Sequence, residues 1–408
     1  MALDWISKDG KLVLAARIVR TFSYGFLSVV LAIYLSLLGF NEILIGVVLT
    51  ATLVNGIIFN LVSSVYADRI GRKKFLILYA VLMIVSAAIF FATDNYAALI
   101  VAALIGTINV TGSEVGAFLS IEQAILPQTI SDEKKRTSVF AIYNMVGTFA
   151  MSGGVLLSGL PHVFSQYLGL DKIGAIKILF LAYAACALAA LAIYLLLSPK
   201  VETRFKKHET NSSLRSMTPE SRNIVAKMSS LFAVDSFAGG FVIQSIVSFW
   251  FYTKFGADLA TLSYIFAIAG ALTALSYLLA SKVASRIGLV NTMVLTHVPS
   301  NILLILVAFA PTFPIAIGLY LARMSISQMD VPTRQSYLMA VVKENERVAA
   351  AGITNTSRNI AQAVSPSIVG AMLGHLLAAP FVIGGVLKLA YDVGLFLNFR
   401  KIKPPEEL

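Results

Sequence analysis

An all-α integral membrane protein, with twelve transmembrane helices in two six-helix bundles, is predicted by three features of this chain. They are long apolar runs, basic residues confined to alternate loops, and an internal repeat. Of its 408 residues 58% are apolar and 13% charged, where soluble domains carry about 25% charged residues. Lipid is needed to solvate that much apolar surface. A bilayer core takes about 20 apolar helical residues. Such runs fall at about 12–39, 43–66, 75–92, 96–121, 137–160 and 172–197 in the first half. Six more fall at about 225–253, 259–281, 291–310, 314–338, 348–373 and 379–399. The polar stretch Lys200–Arg222 separates them, which gives an N-terminal bundle 1–199, a cytoplasmic linker 200–222 and a C-terminal bundle 223–408. The first run is too long for the core of a cleavable signal and contains Arg17 and Arg20.

The formal net charge of +11 is spread in short clusters between apolar runs, not along one face. That is a topology signal and not a nucleic-acid footprint. With the N-terminus inside, the inner loops hold Arg69, Arg72, Lys73 and Lys74, then Lys134, Lys135 and Arg136. The linker adds Lys200, Arg204, Lys206, Lys207, Arg215 and Arg222, and the later loops Lys282, Arg286, Lys343 and Arg347. The tail adds Arg400, Lys401 and Lys403, whereas the outer turns hold only Lys172, Lys177 and Lys254. Both termini are therefore expected in the cytoplasm of a multi-pass protein of the cell membrane. Cys186 is the single cysteine, and His162, His208, His297 and His375 lack metal-ligand spacing. With no nucleophile elbow, P-loop or zinc signature, neither an enzyme nor a cofactor or metal is expected.

The halves repeat. LVSSVYADRIG at 61–71 matches LLASKVASRIG at 278–288, with Leu61, Ser64, Ala67, Arg69, Ile70 and Gly71 identical in the second copy. RTFSYGF at Arg20–Phe26 matches DSFAGGF at Asp235–Phe241, and EQAILPQTISDEKKR from Glu122 matches RQSYLMAVVKENER from Arg334. Three matches in one order mark a duplicated six-helix unit, and copies that both start inside are parallel repeats.

YADRIGRKK at Tyr66–Lys74, between the second and third runs, resembles the DRxGRR/K signature of the major facilitator superfamily. The resemblance covers the whole chain, with its twelve spans, central linker and weaker second signature. It implies a secondary transporter in which two bundles rock about a midplane site by alternating access. It also implies that Asp68 favours the outward-facing state from beside the N-terminus of the eleventh helix, where an anion is stabilised. Arg69 and Arg72 would be its charge partners, and Gly71 and the second copy's Arg286 would join them in the gate. Three features depart from the family pattern. Ser64 replaces the signature's first Gly, Asn109 stands where many members have a fourth-helix Arg, and Gly153, Gly154 and Gly159 lack the Gly-Pro pair of antiporters. Arg323 is closer to the tenth-helix counterpart.

Ionisable side chains at bilayer depth cost about 2.5–3.5 kcal/mol on insertion scales, so each needs a reason. Arg20 lies roughly 12 Å into the first run. Asp235 lies at similar depth in the seventh, and as symmetry mates they are expected to pair between the halves. Glu122, opposite Arg334 in the repeat, suits an inner gate, and so does the i, i+4 pair Asp330–Arg334. Glu114, among small residues, is a candidate protonatable carboxylate. Lys388 and Asp392 are expected to pair along the twelfth run, Arg358 to face cavity or cytoplasm, and His297 to pack beside a Pro kink. Arg20, Asp235, Glu114 and Arg323 are thus the substrate or proton candidates. The reading is a proton-coupled transporter of a small organic molecule, with efflux the first direction. An anion transporter or uniporter comes second, and a non-transporting solute sensor third. Its partners are the bilayer, a small-molecule substrate and protons, and it is expected to act as a monomer.

Overall fold

The computed structural model describes residues 4–112, 116–130, 136–202, 217–343 and 346–402. They form sixteen α-helices. The first eight are α1 (Lys8–Leu37), α2 (Glu42–Ile70), α3 (Arg72–Ala92), α4 (Tyr96–Ile105), α5 (Ala117–Ile125), α6 (Arg136–Leu157), α7 (Leu160–Leu168) and α8 (Lys172–Leu195). The second eight are α9 (Pro219–Gly240), α10 (Gln244–Phe255), α11 (Leu259–Ile287), α12 (Leu289–Ala308), α13 (Phe313–Ile326), α14 (Asp330–Val341), α15 (Arg347–Leu373) and α16 (Ala379–Phe399). Among the described residues the only β-type pairing is the isolated bridge Ile6–Ile130.

Among the described residues nine stretches are long and apolar enough to cross a membrane. The other expected spans are not featureless; they are interrupted or polar. The fourth is split into α4 and α5 and the tenth into α13 and α14. The eleventh, α15, carries the polar run Asn355–Gln362.

Local chemistry fixes the helix ends. Asn41 and Asn95 accept from the amides of Leu44 (2.9 Å) and Ala98 (3.1 Å), which caps α2 and α4, and Asp171 does the same for α8 through Gly174 (3.2 Å). The two repeated turns end on glycines with φ of +127° (Gly71) and +86° (Gly288). A side chain there would be strained, so both copies of the motif require Gly for the same conformational reason.

The chain forms two compact units, one of Met1–Lys206 with Ile243–Ala267 and one of Lys207–Val242 with Ile268–Leu408. In the first, α1 is the central helix and packs on α6, α8 and α10, while α3 packs on α8. In its apolar window 83% of residues are buried. The crossing with α6 is backbone on backbone: Gly25 lies against the Met151 carbonyl, and Gly154 against the Phe22 carbonyl. In the second unit α9 packs on α15 and α16, and α12 on α16, α13 and α14.

Candidate functional site

Each unit buries an ion cluster. In the first, Arg20 Nη2 donates to Glu122 Oε2 at 2.9 Å, and both side chains are fully buried. The Tyr143 hydroxyl donates to the same oxygen at 2.6 Å and the Tyr194 hydroxyl to Oε1 at 2.6 Å. The guanidinium also lies 4.1 Å over the Phe118 ring. Four helices, α1, α5, α6 and α8, thus meet at one carboxylate. Its hydrogen bonds offset the desolvation that makes an unpaired buried charge so costly.

In the second unit Asp235 on α9 accepts from Lys388 Nζ at 2.6 Å (Oδ1) and Arg334 Nη1 at 3.2 Å (Oδ2). Arg334 also reaches Asp330 at 3.3 Å, so the expected i, i+4 pair forms. Lys388 and Asp392 do not need each other: Asp392 takes His297 Nδ1 at 2.7 Å and Asn301 Nδ2 at 2.9 Å. The expected pair along α16 is replaced because α9 and α12 present better-placed partners. His297, expected as a packing residue, has its Nε2 3.9 Å from Asp235 Oδ1. Arg358 points inward, donating from Nε to Ser236 Oγ at 2.9 Å.

The expected Arg20–Asp235 pair is also replaced, since each residue closes an ion pair within its own unit. The repeat explains the geometry. Arg20–Glu122 and Asp235–Arg334 occupy matched positions, the first and fourth spans of each half, with acid and base exchanged.

Of the other candidates, Arg323 is buried, with Nη1 3.3 Å from the Met324 sulfur and no hydrogen-bond partner for Nε among the described residues. Arg286 is exposed in the last turn of α11. Glu114 and the side chains of Asp68 and Arg69 lie outside the described residues. Around the signature, Glu202 receives the backbone amides of Arg72 (2.6 Å) and Lys73 (3.1 Å), an anion on the N-terminus of α3. Arg72 donates to the Ala124 carbonyl at 3.2 Å, and Lys73 to the Leu195 and Leu197 carbonyls at 2.9 and 2.6 Å. The cations of the motif thus tie α3 to the ends of α5 and α8. Glu202 was missed in the sequence because it lies over a hundred residues from the motif, at the start of the linker.

The break between α4 and α5 lines a cavity of about 30 Å³ with Tyr24, Thr52, Asn55, Thr107, Asn109 and Thr111. Asn55 Nδ2 donates at 2.5 Å to the Leu104 carbonyl, which the break leaves without a helical partner. The sequence signal is the run of small residues around Glu114 (Thr111, Gly112, Gly116), which suits close helix packing as well as a break.

Paired charges sunk into helices that are otherwise apolar, built on two repeated halves, define a multi-pass membrane transporter. The chain matches the Major Facilitator Superfamily over residues 13–366 and again over 231–407, and it belongs to that family. It is 27% identical to an uncharacterized membrane protein of Saccharomyces cerevisiae, over 96% of this chain and 94% of that one. Its fold is similar to that of the nucleoside transporter NupG (TM-score 0.73, 14% identity, 96% of this chain and 99% of that one). It is also similar to a D-xylose-proton symporter (0.73, 15%, 98% of each chain) and a POT family peptide transporter (0.76, 13%, 97% of each).

Proposed function

We propose that the protein is a proton-coupled secondary transporter of a small organic molecule. In this reading it has twelve spans and cytoplasmic termini and acts in the cell membrane as a monomer, and two bundles, 1–199 and 223–408, joined by the linker 200–222, rock by alternating access. The observation that carries this reading is the pair of buried ion clusters with exchanged polarity at repeat-related positions. Charges of this kind inside apolar helices are expensive and mark transport or proton pathways. Asp235 and Arg20 are the centres of the two clusters, with Glu122, Asp330 and Arg334 as their switchable partners. Asp68, Arg69, Gly71, Arg72 and Arg286 form the cytoplasmic gate, and Glu114 is a further carboxylate candidate. Outward movement is the preferred direction.

A stability screen of the purified protein against metabolites and drugs names the substrate, because a ligand bound by the folded state raises the unfolding temperature. Proteoliposomes with and without an imposed pH gradient then test coupling. Gradient-driven accumulation is expected for the native protein and is lost in Asp235→Asn, while exchange persists. Equal accumulation with and without the gradient in the native protein would sink the coupling. Arg323 favours anion transport as the second reading. It is a buried guanidinium with no carboxylate in salt-bridge range among the described residues. Carboxylate-bearing hits that Arg323→Met no longer recognises would establish it.

A further inference from the structure

Asp235 is a poor place for a coupled proton, because Lys388 and Arg334 both hold its carboxylate. Asp392 is differently placed. It is fully buried, and among the described residues no lysine or arginine lies within salt-bridge range of it. Its oxygens are taken by His297 Nδ1 and Asn301 Nδ2, at 2.7 and 2.9 Å. We assign the ring hydrogen to Nδ1, donated to the Asp392 carboxylate across this short contact. The Asn301 nitrogen, 3.2 Å from the same Nδ1, directs its hydrogen to Asp392. Nε2 is then left with its lone pair, facing Asp235 Oδ1 at 3.9 Å.

Resting on the proton-coupled reading above, we propose that His297 Nε2 is the proton-binding atom of this transporter, and that its proton competes with Lys388 for Asp235 Oδ1. When a proton adds to Nε2 the ring becomes imidazolium, held between Asp392 and Asp235. Lys388 then shares its acceptor with a second cation, which weakens the tie between α9 and α16. Loss of the proton restores it. The other groups around the site fit this role. Tyr391 on α16 meets the imidazole edge-on at 5.8 Å between ring centres, and its ring does not compete for Nε2. Arg334 and Asp330 from α14 pair with each other. Arg358 from α15 is engaged by Ser236, and Arg323 from α13 adds positive field toward Asp235. A proton on His297 therefore adds positive charge to a field already rich in it, and that makes its binding sensitive to how far the cations stand from Asp235.

The test needs no substrate. In a His162→Gln, His208→Gln, His375→Gln background, His297 is the only histidine, and its ring nitrogens are followed by ¹⁵N resonance in lipid nanodiscs between pH 5 and 9. Nδ1 should stay protonated throughout while Nε2 passes from bare to protonated in one step. Asp392→Asn, which removes the anion on Nδ1, should move that step to more acidic pH. Lys388→Met, which removes the competing cation, should move it to more alkaline pH. An Nε2 that keeps one state across the range, or a step unmoved by either substitution in proteins that still unfold cooperatively, overturns the site. That failure leaves gradient-driven uptake to another group. A clean step in a protein whose uptake ignores the pH gradient upholds the site and removes only the coupling.

Discussion

Glu122 shows what a single buried carboxylate does here. It collects a guanidinium and two phenols from three other helices, so removing its charge leaves Arg20 buried without its anion. Glu122→Gln should destabilise the protein by about 3–5 kcal/mol, the usual cost of breaking a buried pair from one side. Arg20→Met with Glu122→Leu should recover much of that loss, and thermal unfolding in detergent measures both. A double variant no better than the worse single one would show that the pair does more than neutralise itself. Outside the membrane, Glu346 accepts from the amide and hydroxyl of Thr218 at 2.7 and 3.2 Å. The Ser221 hydroxyl and then the Thr218 amide hold its carboxyl below the ordinary range. A group with a lowered value binds fewer protons when folded. Its contribution is therefore complete above the unfolded value, about 4.3, and fades as pH falls through the folded one. Glu346→Gln should cost stability at pH 7 and little at pH 3.5. An equal loss at both pH values would contradict this. The charged positions were legible in the sequence because the repeat aligns them, but their partners were not. Matching Arg20 with Asp235 identifies equivalent places in two halves, and equivalent places need not touch. Lys388 and Asp392 share a helix face at i, i+4, yet contacts from other helices decide whom each one meets.

At the scale of helices, the α1–α6 crossing depends on residues without side chains. A methyl on Gly154 would fall on the Phe22 carbonyl, whose carbon would be 2.7 Å away. Backbone cannot step aside as a flexible side chain can, so the helices must part. Gly154→Ala should lower stability by about 1–3 kcal/mol, the range for overpacking, whereas Gly153→Ala, whose added carbon comes no nearer than 3.9 Å to the Phe22 ring, should be near neutral. Comparing their unfolding temperatures separates close approach from a general cost of replacing glycine. Nine of the expected spans were readable from apolar length among the described residues, but the breaks in the fourth and tenth were not. Hydropathy averages over a window, and Gly106, Gly112 and Gly116 read equally well as packing or as a stop.

Across the whole molecule, the distribution of Lys and Arg predicts which loops face the cytoplasm. In a Cys186→Ala background, a cysteine at position 95 should react with an impermeant maleimide on intact cells, and one at position 212 should not. The reverse pattern would invert the topology. One further consequence comes from the divided fourth span. At about 1.5 Å per residue, the ten residues of α4 reach only about 15 Å, half of a hydrocarbon core of about 30 Å. Bare carbonyls beyond Ile105 are tolerable only where protein covers them. During synthesis this segment therefore cannot pass from the insertion machinery into lipid as a finished rod. It must be held back against α2, whose Asn55 meets the Leu104 carbonyl, until α10 arrives with the Ser245 amide for the Val110 carbonyl at 3.2 Å, and the order of biogenesis is thereby written into the break itself.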